Sequence, residues 1–310
     1  MRTSWIAVAA LAFTMAFGAA SADPPPATAQ YRVFAIGSLY AVALKDGSLQ
    51  EANDGKSFIV GQPSSEVAKI LKHGGAAADY FDFSIQPLLV RSGSRVLLFD
   101  TGAGSNFGLI AGALLKSMQA ANIDPASVTD IFISHVHGDH SGGLITSAGR
   151  LTYPNATIHM SASEWAYLSG MSADLAAKMG LEHVDKMAQT LKPKVVAFAP
   201  NAELIPGLVK AVEIKGHTPG HSGYLIISGS ESLLYIGDSL HSYVASVREP
   251  QWHTAFDADP TTAANSRVAL VESLAASGQR VYAVHFPFPG VGKIVKQHGG
   301  YTWVPEALDN

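Results

Sequence analysis

Ser134-His135-Val136-His137-Gly138-Asp139-His140-Ser141-Gly142-Gly143 is the stretch on which the fold turns. The apolar run Asp130-Ile131-Phe132-Ile133-Ser134 leads into it and reads as a short buried strand. In extended chain, His135 and His137 lie two residues apart and point the same way. The chain then turns at Gly138, and a helix start throws Asp139 and His140 toward the same place. Three imidazoles and a carboxylate so close together cannot all be core residues, because buried polar groups need partners and a buried carboxylate needs a cation. Divalent metal satisfies them together, since imidazole and carboxylate both suit it. An exposed polar loop is the bland alternative. It fits poorly, because an apolar strand delivers the motif and Gly142-Gly143 closes it.

Three further pieces share this chemistry. Gly216-His217-Thr218-Pro219-Gly220-His221 sits in a turn after an apolar strand. Leu233-Leu234-Tyr235-Ile236-Gly237-Asp238 ends a strand on a carboxylate, and Val281-Tyr282-Ala283-Val284-His285 ends another on a histidine. Taken singly, a strand-end Asp or His is structural more often than not. Behind the first motif, and in this order, they complete a ligand set.

The rest of the chain bounds what that set can do. There are no cysteines, so thiolate ligands and thiol nucleophiles are excluded and any site must use histidine, carboxylate or hydroxyl. The formal charge is −4, with no Lys/Arg run, which argues against nucleic acid or an anionic membrane surface as partner. Arg2, the apolar stretch Ile6 to Phe17 and the small residues Ala20-Ser21-Ala22 form the three-part layout of a cleaved secretory signal. The apolar stretch is shorter than the about 20 residues a membrane-spanning helix needs. We therefore expect a signal peptide over 1–22, a mature domain over 23–310, a periplasmic or secreted protein, and no membrane contact after cleavage.

Apolar periodicity predicts strands at Tyr31–Leu44 (broken at Gly37), 130–134, 157–160, 195–198, 209–214, 224–227, 232–236 and 281–285. It also predicts a hairpin from 85–90 and 95–99, and a hairpin-like tail over 293–304. Helices are predicted at 107–121, from a Ser161…Glu164 capping box to about Gly170, at 173–190 and at 261–276. The stretch Asp46 to Gly75 has little period and reads as loop. Strand runs followed by helices, twice over, imply two sheets packed face to face with helices outside.

The series His-x-His-x-Asp-His, then His, then Gly-Asp, then His resembles the metallo-β-lactamase-fold hydrolases. That resemblance implies an α+β, four-layer αββα sandwich with the site at one edge between the sheets. It implies that His135, His137 and His217 hold one metal, that Asp139, His140 and His285 hold a second, and that Asp238 bridges the two. Asp100, in Phe99-Asp100-Thr101-Gly102, matches the family's Asp-Thr-Gly turn and would support the ligands from behind. Within the family the chain looks most similar to methyl parathion hydrolase and its exported relatives. The similarity runs through Leu98-Phe99-Asp100-Thr101-Gly102-Ala103, His217-Thr218-Pro219-Gly220-His221, His285-Phe286-Pro287-Phe288-Pro289-Gly290-Val291-Gly292 and Gly300-Tyr301-Thr302-Trp303-Val304-Pro305. Gly138 departs from it, standing where the organophosphate hydrolase has proline.

The expected cofactor is two divalent ions per chain, with zinc the expected metal. Such a pair shares a water, lowers its pKa toward about 7 and presents it as hydroxide. Asp139 and Asp238 are then the catalytic carboxylates, Asp139 steering the nucleophile or passing a proton to the leaving group. The expected substrates are small hydrophobic lactones, carboxyl esters or organophosphate triesters. A mono-iron sulfur dioxygenase-like oxidoreductase is the alternative, since it uses a similar ligand set with one position empty. Phe107, Trp165, Leu168, Phe286 and Phe288 are candidate pocket walls, each as readily core. His221 is read either as a hydrogen-bond donor beside the site or as a brace for its own turn. His241 and His253 read as surface or pocket rim. A homodimer is left open.

Overall fold

Strand alternation sets the layers. In Leu39–Lys45, Ala41 and Ala43 enter one apolar cluster while Val42 and Leu44 enter another. Leu97 and Phe99 likewise face one way and Leu98 the other, and Phe132 opposes Ile131 and Ile133. Leu233 and Tyr235 oppose Leu234, and Tyr282 opposes Val281. Such strands are apolar on both faces and must be covered on both.

The computed structural model describes residues 26–297 and 299–308, so the expected signal segment 1–22 lies outside the described residues. One seven-stranded sheet runs in the order Gln30–Ile36, Leu39–Lys45, Leu88–Ser92, Arg95–Phe99, Asp130–Phe132, Thr157–Ser161, Val195–Phe198. The other runs Glu203–Ile205, Val209–Glu213, Ser222–Ser228, Glu231–Tyr235, Arg280–Tyr282, Val291–Gln297, Gly300–Pro305. A cluster containing Phe99, Phe132, Tyr224, Tyr235 and Tyr282 fills the space between them. Helices Leu114–Ala120, Ala162–Ser169 and Val184–Leu191 cover the outer face of the first sheet, and helix Pro260–Ser277 covers that of the second. This is the αββα sandwich that the alternation and the resemblance implied. Among the described residues no helix is long and apolar enough to cross a membrane.

The parallel strands place the site. Arg95–Phe99, Asp130–Phe132 and Thr157–Ser161 run parallel, as do Glu231–Tyr235 and Arg280–Tyr282. Asp100, the His135–His140 segment, Asp238 and His285 all follow the carboxyl ends of these strands, where ligands bind in open α/β sheets.

Several sequence expectations are corrected. The stretch 46–75 is ordered: Gly47–Ala52 pairs with Tyr80–Ile85, Ile59–Val60 pairs with His253–Thr254, and Ser64–His73 is a helix burying Val67 and Leu71. These elements share a satellite core of Phe58, Phe81, Phe83 and Val244. The helix expected over 107–121 is confined to Leu114–Ala120. Gly108 and Gly112 take left-handed backbone at φ 60° and 91°, and the buried Asp46 carboxylate holds the preceding loop by accepting from the N–H groups of Ala103, Gly112 and Leu114. The helix expected over 173–190 breaks into Ala173–Lys178 and Val184–Leu191, with Gly180 and His183 at positive φ between them. Only half of the capping box forms. Ser161 Oγ accepts from Glu164 N–H, but the Glu164 carboxylate points elsewhere.

Candidate metal centre

The extended segment after strand Asp130–Phe132 carries His135 and His137, and a four-residue helix, Gly138–Ser141, presents Asp139 and His140. His217 Nε2 lies 3.2 Å from His135 Nε2 and 3.1 Å from His137 Nδ1. Asp238 Oδ2 is 3.5 Å from His135 Nε2 and 3.3 Å from His217 Nε2. Its other oxygen, Oδ1, is 3.0 Å from His140 Nε2 and 3.1 Å from His285 Nε2. Asp139 Oδ2 stands 3.3 Å and 3.5 Å from those same two nitrogens. The structure thus brings all seven expected ligand side chains together, in the two sets that the resemblance implied.

What lies behind each ring decides which atom it offers to the centre. Asp100, at φ 57°, accepts from Ser134 N–H, Ser134 Oγ and Tyr235 Oη, all at 2.7 Å. His140 Nδ1 is 2.7 Å from the same carboxylate and donates to it. Because the Ser134 hydroxyl proton is directed to Asp100, Ser134 Oγ is left to accept from His135 Nδ1 at 3.0 Å. His285 Nδ1 donates to the Ser84 carbonyl at 2.8 Å, and His217 Nδ1 donates to Asp257 Oδ1 at 3.0 Å. With Nδ1–H committed outward on four rings, Nε2 is the atom each has to offer a metal at the centre.

Asp257 and its partner were missed by sequence reading. Arg267, 2 % exposed, holds Asp257 Oδ2 and also donates to the carbonyls of Pro250 and Trp252. The signal was available only as an Asp five residues beyond Trp252 and an Arg inside a helix, which no spacing rule joins to His217. His221 resolves to a brace: Nδ1 donates to Ile214 O, and Nε2 accepts the backbone N–H of Asp238 at 2.9 Å.

His241 corrects the rim expectation. It is 2 % exposed, its Nε2 is 3.1 Å from Asp238 Oδ2, and it packs edge-on against Phe58 and Phe83. Those phenylalanines belong to the satellite core, which reading 46–75 as loop had hidden. His253 is exposed, as expected. Leu168 and Phe286 are also corrected, from pocket wall to core. Leu168 is 1 % exposed beneath the first sheet's helices, and Phe286 is fully buried against Trp303. Trp165 and Phe288 are half-buried but pack on core clusters. Phe107 is half-buried and its ring lies against Gly180, next to Gly138.

Electrostatics follow from burial and crowding. Burial works against charge on His217, but hydrogen bonds to Asp238 and Asp257 raise its pKa to about 9. Burial also opposes charge on His140 and His285, yet nearby carboxylates, Asp238 foremost, lift both above the usual imidazole range. Burial, then the charge of His217, lowers His137 and His221 to about 3. Burial lowers His241 to about 4. Although burial raises them, Asp139 and Asp238 are held below the usual carboxylate range by the surrounding imidazoles, His140 first.

The donor set fits divalent metal. Nε2 atoms 3.2–3.3 Å apart and facing one another have the spacing expected of ligands about 2.0–2.1 Å from a shared tetrahedral ion. Asp238 Oδ1 is buried and accepts no hydrogen bond, because neither nearby imidazole approaches with hydrogen-bond geometry. His135, His137, His217 and Asp238 form one group whose ligand atoms all lie within 4.8 Å of one another, Asp139, His140 and His285 form another, and Asp238 and His285 also group with His241.

Comparison with known proteins agrees with this geometry. The family described as the Metallo-beta-lactamase superfamily matches residues 82–285. Among solved structures, the chain is similar to AidC, a dizinc quorum-quenching lactonase in complex with a product, N-hexanoyl-L-homoserine. The identity is 30%, the TM-score 0.84, and the match covers 91% of this chain and 99% of that one. It is also similar to the hydrolase AbOPH of the beta lactamase superfamily, at 29% identity and TM-score 0.80, covering 91% and 99%. Among curated proteins, Ribonuclease Z of Pyrococcus furiosus is 36% identical over 61 residues, a match that spans 20% of this chain and only 17% of that protein's length.

Proposed function

The chain belongs to the metallo-beta-lactamase superfamily, and from that premise we propose that it is a binuclear metal-dependent hydrolase of small, apolar lactones or carboxyl esters. One observation carries the reading. The two oxygens of Asp238 face two separate imidazole sets, and four of those rings have committed their Nδ1–H groups elsewhere. His135, His137 and His217 would hold one ion, Asp139, His140 and His285 the other, with Asp238 shared. Ions held there supply Lewis acidity and a water activated near neutral pH.

The chain's own groups do the rest. Asp100, Asp257 and the Ser84 carbonyl keep the rings aimed, so little reorganisation accompanies reaction. Asp139, 8 % exposed against 3 % for Asp238, is the more accessible of the two carboxylates. It is placed to take a proton from the attacking water and return it to the leaving alkoxide. Half-buried Phe107 lies over Gly180, whose carbonyl abuts Gly138.

Lactones lead the substrate classes because AidC, a lactonase bound to its product, is similar over nearly the whole chain. The likeness to methyl parathion hydrolase keeps phosphotriesters second. Elemental analysis, followed by a panel of lactones, aryl esters and phosphotriesters, tests the proposal. The expected result is close to two zinc ions per chain and turnover of lactones abolished by chelation. One iron without zinc, or a metal-loaded protein inert to the whole panel, would overturn it. Export, with cleavage near Asp23, is part of the same proposal, and a periplasmic species whose intact mass retained Arg2 would refute that part.

A further inference from the structure

Glu164 is fully buried, yet it touches no ligand. Its Oε1 accepts the Val136 N–H at 2.9 Å, and its Oε2 accepts the Thr218 hydroxyl at 2.9 Å and the Gly220 N–H at 2.8 Å. Val136 lies between His135 and His137, and Thr218 directly follows His217. One carboxylate therefore ties together the two chain segments that carry the three-histidine set, which are otherwise about eighty residues apart in sequence. The helix that bears it is seated on the same loop. Ser161 Oγ donates to the Gly220 carbonyl at 2.7 Å, and a Cβ on Gly220 would fall 2.4 Å from Glu164 N.

The arrangement has a physical purpose in the metal-free protein. There, His217 Nε2 stands 3.2 Å from His135 Nε2 and 3.1 Å from His137 Nδ1, with no ion to tie together the two loops that carry these rings. Three charge-assisted hydrogen bonds to one buried carboxylate join those loops instead. We propose that Glu164 is a positioning residue that keeps the His135/His137/His217 position assembled before metal arrives, so that the ion fills a formed site rather than ordering one. The inference rests on the metal-centre reading above and extends it to how that centre is built.

The test uses the full-length protein and Glu164→Gln, whose amide keeps the shape but directs an NH2 at groups that are themselves donors. In metal-free protein, amide exchange at whichever of Val136 and Gly220 faces the new NH2 should quicken at least about tenfold, because its acceptor is lost while the amide oxygen still serves the other. In zinc titrations against a competing chelator, one of the two binding steps should weaken by about 10- to 100-fold while the other moves by less than about threefold. Asp130→Asn serves as the comparison. Asp130 is a buried carboxylate bonded to His159 and Arg95 at the start of strand Asp130–Phe132, away from the carboxyl end where the ligands lie. Its variant should lose stability but keep both zinc affinities. Unchanged zinc steps in folded Glu164→Gln, or equal weakening in Asp130→Asn, would overturn the proposal. If Glu164→Gln fails to fold, Thr218→Val removes the hydroxyl bond alone; a severalfold weakening of a single step supports the proposal, and wild-type affinity overturns it. Wild-type protein that bound no zinc would instead refute the metal-centre reading, while the amide-exchange result would still judge the clamp.

Discussion

At Asp238 a single carboxylate faces two imidazole sets, and a brace fixes it from each side: His221 accepts its backbone N–H, and His241 donates to its Oδ2. Removing the charge while keeping the shape isolates what the bridge contributes, since an amide bridges two cations poorly. Asp238→Asn should fold, retain at most one tightly bound metal, and lose at least about a hundredfold in kcat/KM, roughly 2.7 kcal/mol of transition-state stabilisation. Metal analysis and kinetics on the same sample check it. His241→Ala is no neutral comparison, because it strips a hydrogen bond from Asp238. His253→Ala, exposed and outside the ligand sets, is the proper one and should keep both metals and near-normal rates. Two metals and normal turnover in Asp238→Asn would refute the bridging assignment.

At the scale of elements, the turn that starts the Gly138–Ser141 helix meets the break between helices Ala173–Lys178 and Val184–Leu191. Gly138 N–H donates to the Met179 carbonyl at 2.8 Å, and a Cβ on Gly138 would sit 1.9 Å from the Gly180 carbonyl oxygen. Gly180, at φ +69°, in turn lies under the Phe107 ring, where its own Cβ would come within 2.5 Å. Side chains are excluded at both positions by backbone and ring contact. The departure from proline at Gly138 is therefore part of how this chain closes its site. Gly138→Ala must push the 179–180 turn outward and disturb Phe107. We expect a loss of about 1–3 kcal/mol in unfolding free energy, as for overpacked cores, and at least about a tenfold fall in kcat/KM. Denaturant unfolding and steady-state kinetics read the two effects separately. Wild-type values for both would show the close approach to be unimportant.

Across the whole molecule, the metal-free cluster is balanced by protons where metal would otherwise sit. His217, raised to about 9 against its usual 6.5, holds a proton at pH 7 that an ion must displace. Zinc binding at pH 7 should therefore release at least one proton, visible in calorimetry as a heat that depends on the buffer's ionisation enthalpy. A buffer-independent heat would contradict it. The stability of the metal-free protein should fall on both sides of about pH 6.5. Below that value, the unfolded chain takes up protons that His137, His221 and His241, lowered to about 3, 3 and 4, refuse in the folded state, so stability declines as pH drops toward 4. Above it, the stabilisation from protonated His217, complete only below pH 6.5, is lost progressively as pH rises through 9. Thermal unfolding of chelator-treated protein across pH 4–9 checks the profile. Added zinc should raise the melting temperature and flatten the profile on the alkaline side, because metal binds the folded state in place of the His217 proton.

What the sequence by itself determined was whatever is local or strictly alternating. The His135–His140 motif, the strand-end Asp238 and His285, and the two-faced apolar strands were legible because each strand delivers its last side chains at a known edge with a period of two. Tertiary structure decided what depends on non-local pairing. The ribbon of Gly47–Ala52 with Tyr80–Ile85 carries no period that a single segment could reveal, so the satellite core and the burial of His241 against it stayed hidden. The supports behind the rings were hidden for the same reason. Asp257 reaches His217 across forty residues and is itself held by Arg267 from helix Pro260–Ser277, while Glu164 satisfies the local rule for a capping box and yet bonds Val136, Thr218 and Gly220. A buried carboxylate goes where unsatisfied donors are, and which donors are left unsatisfied is decided only once the sheets have packed.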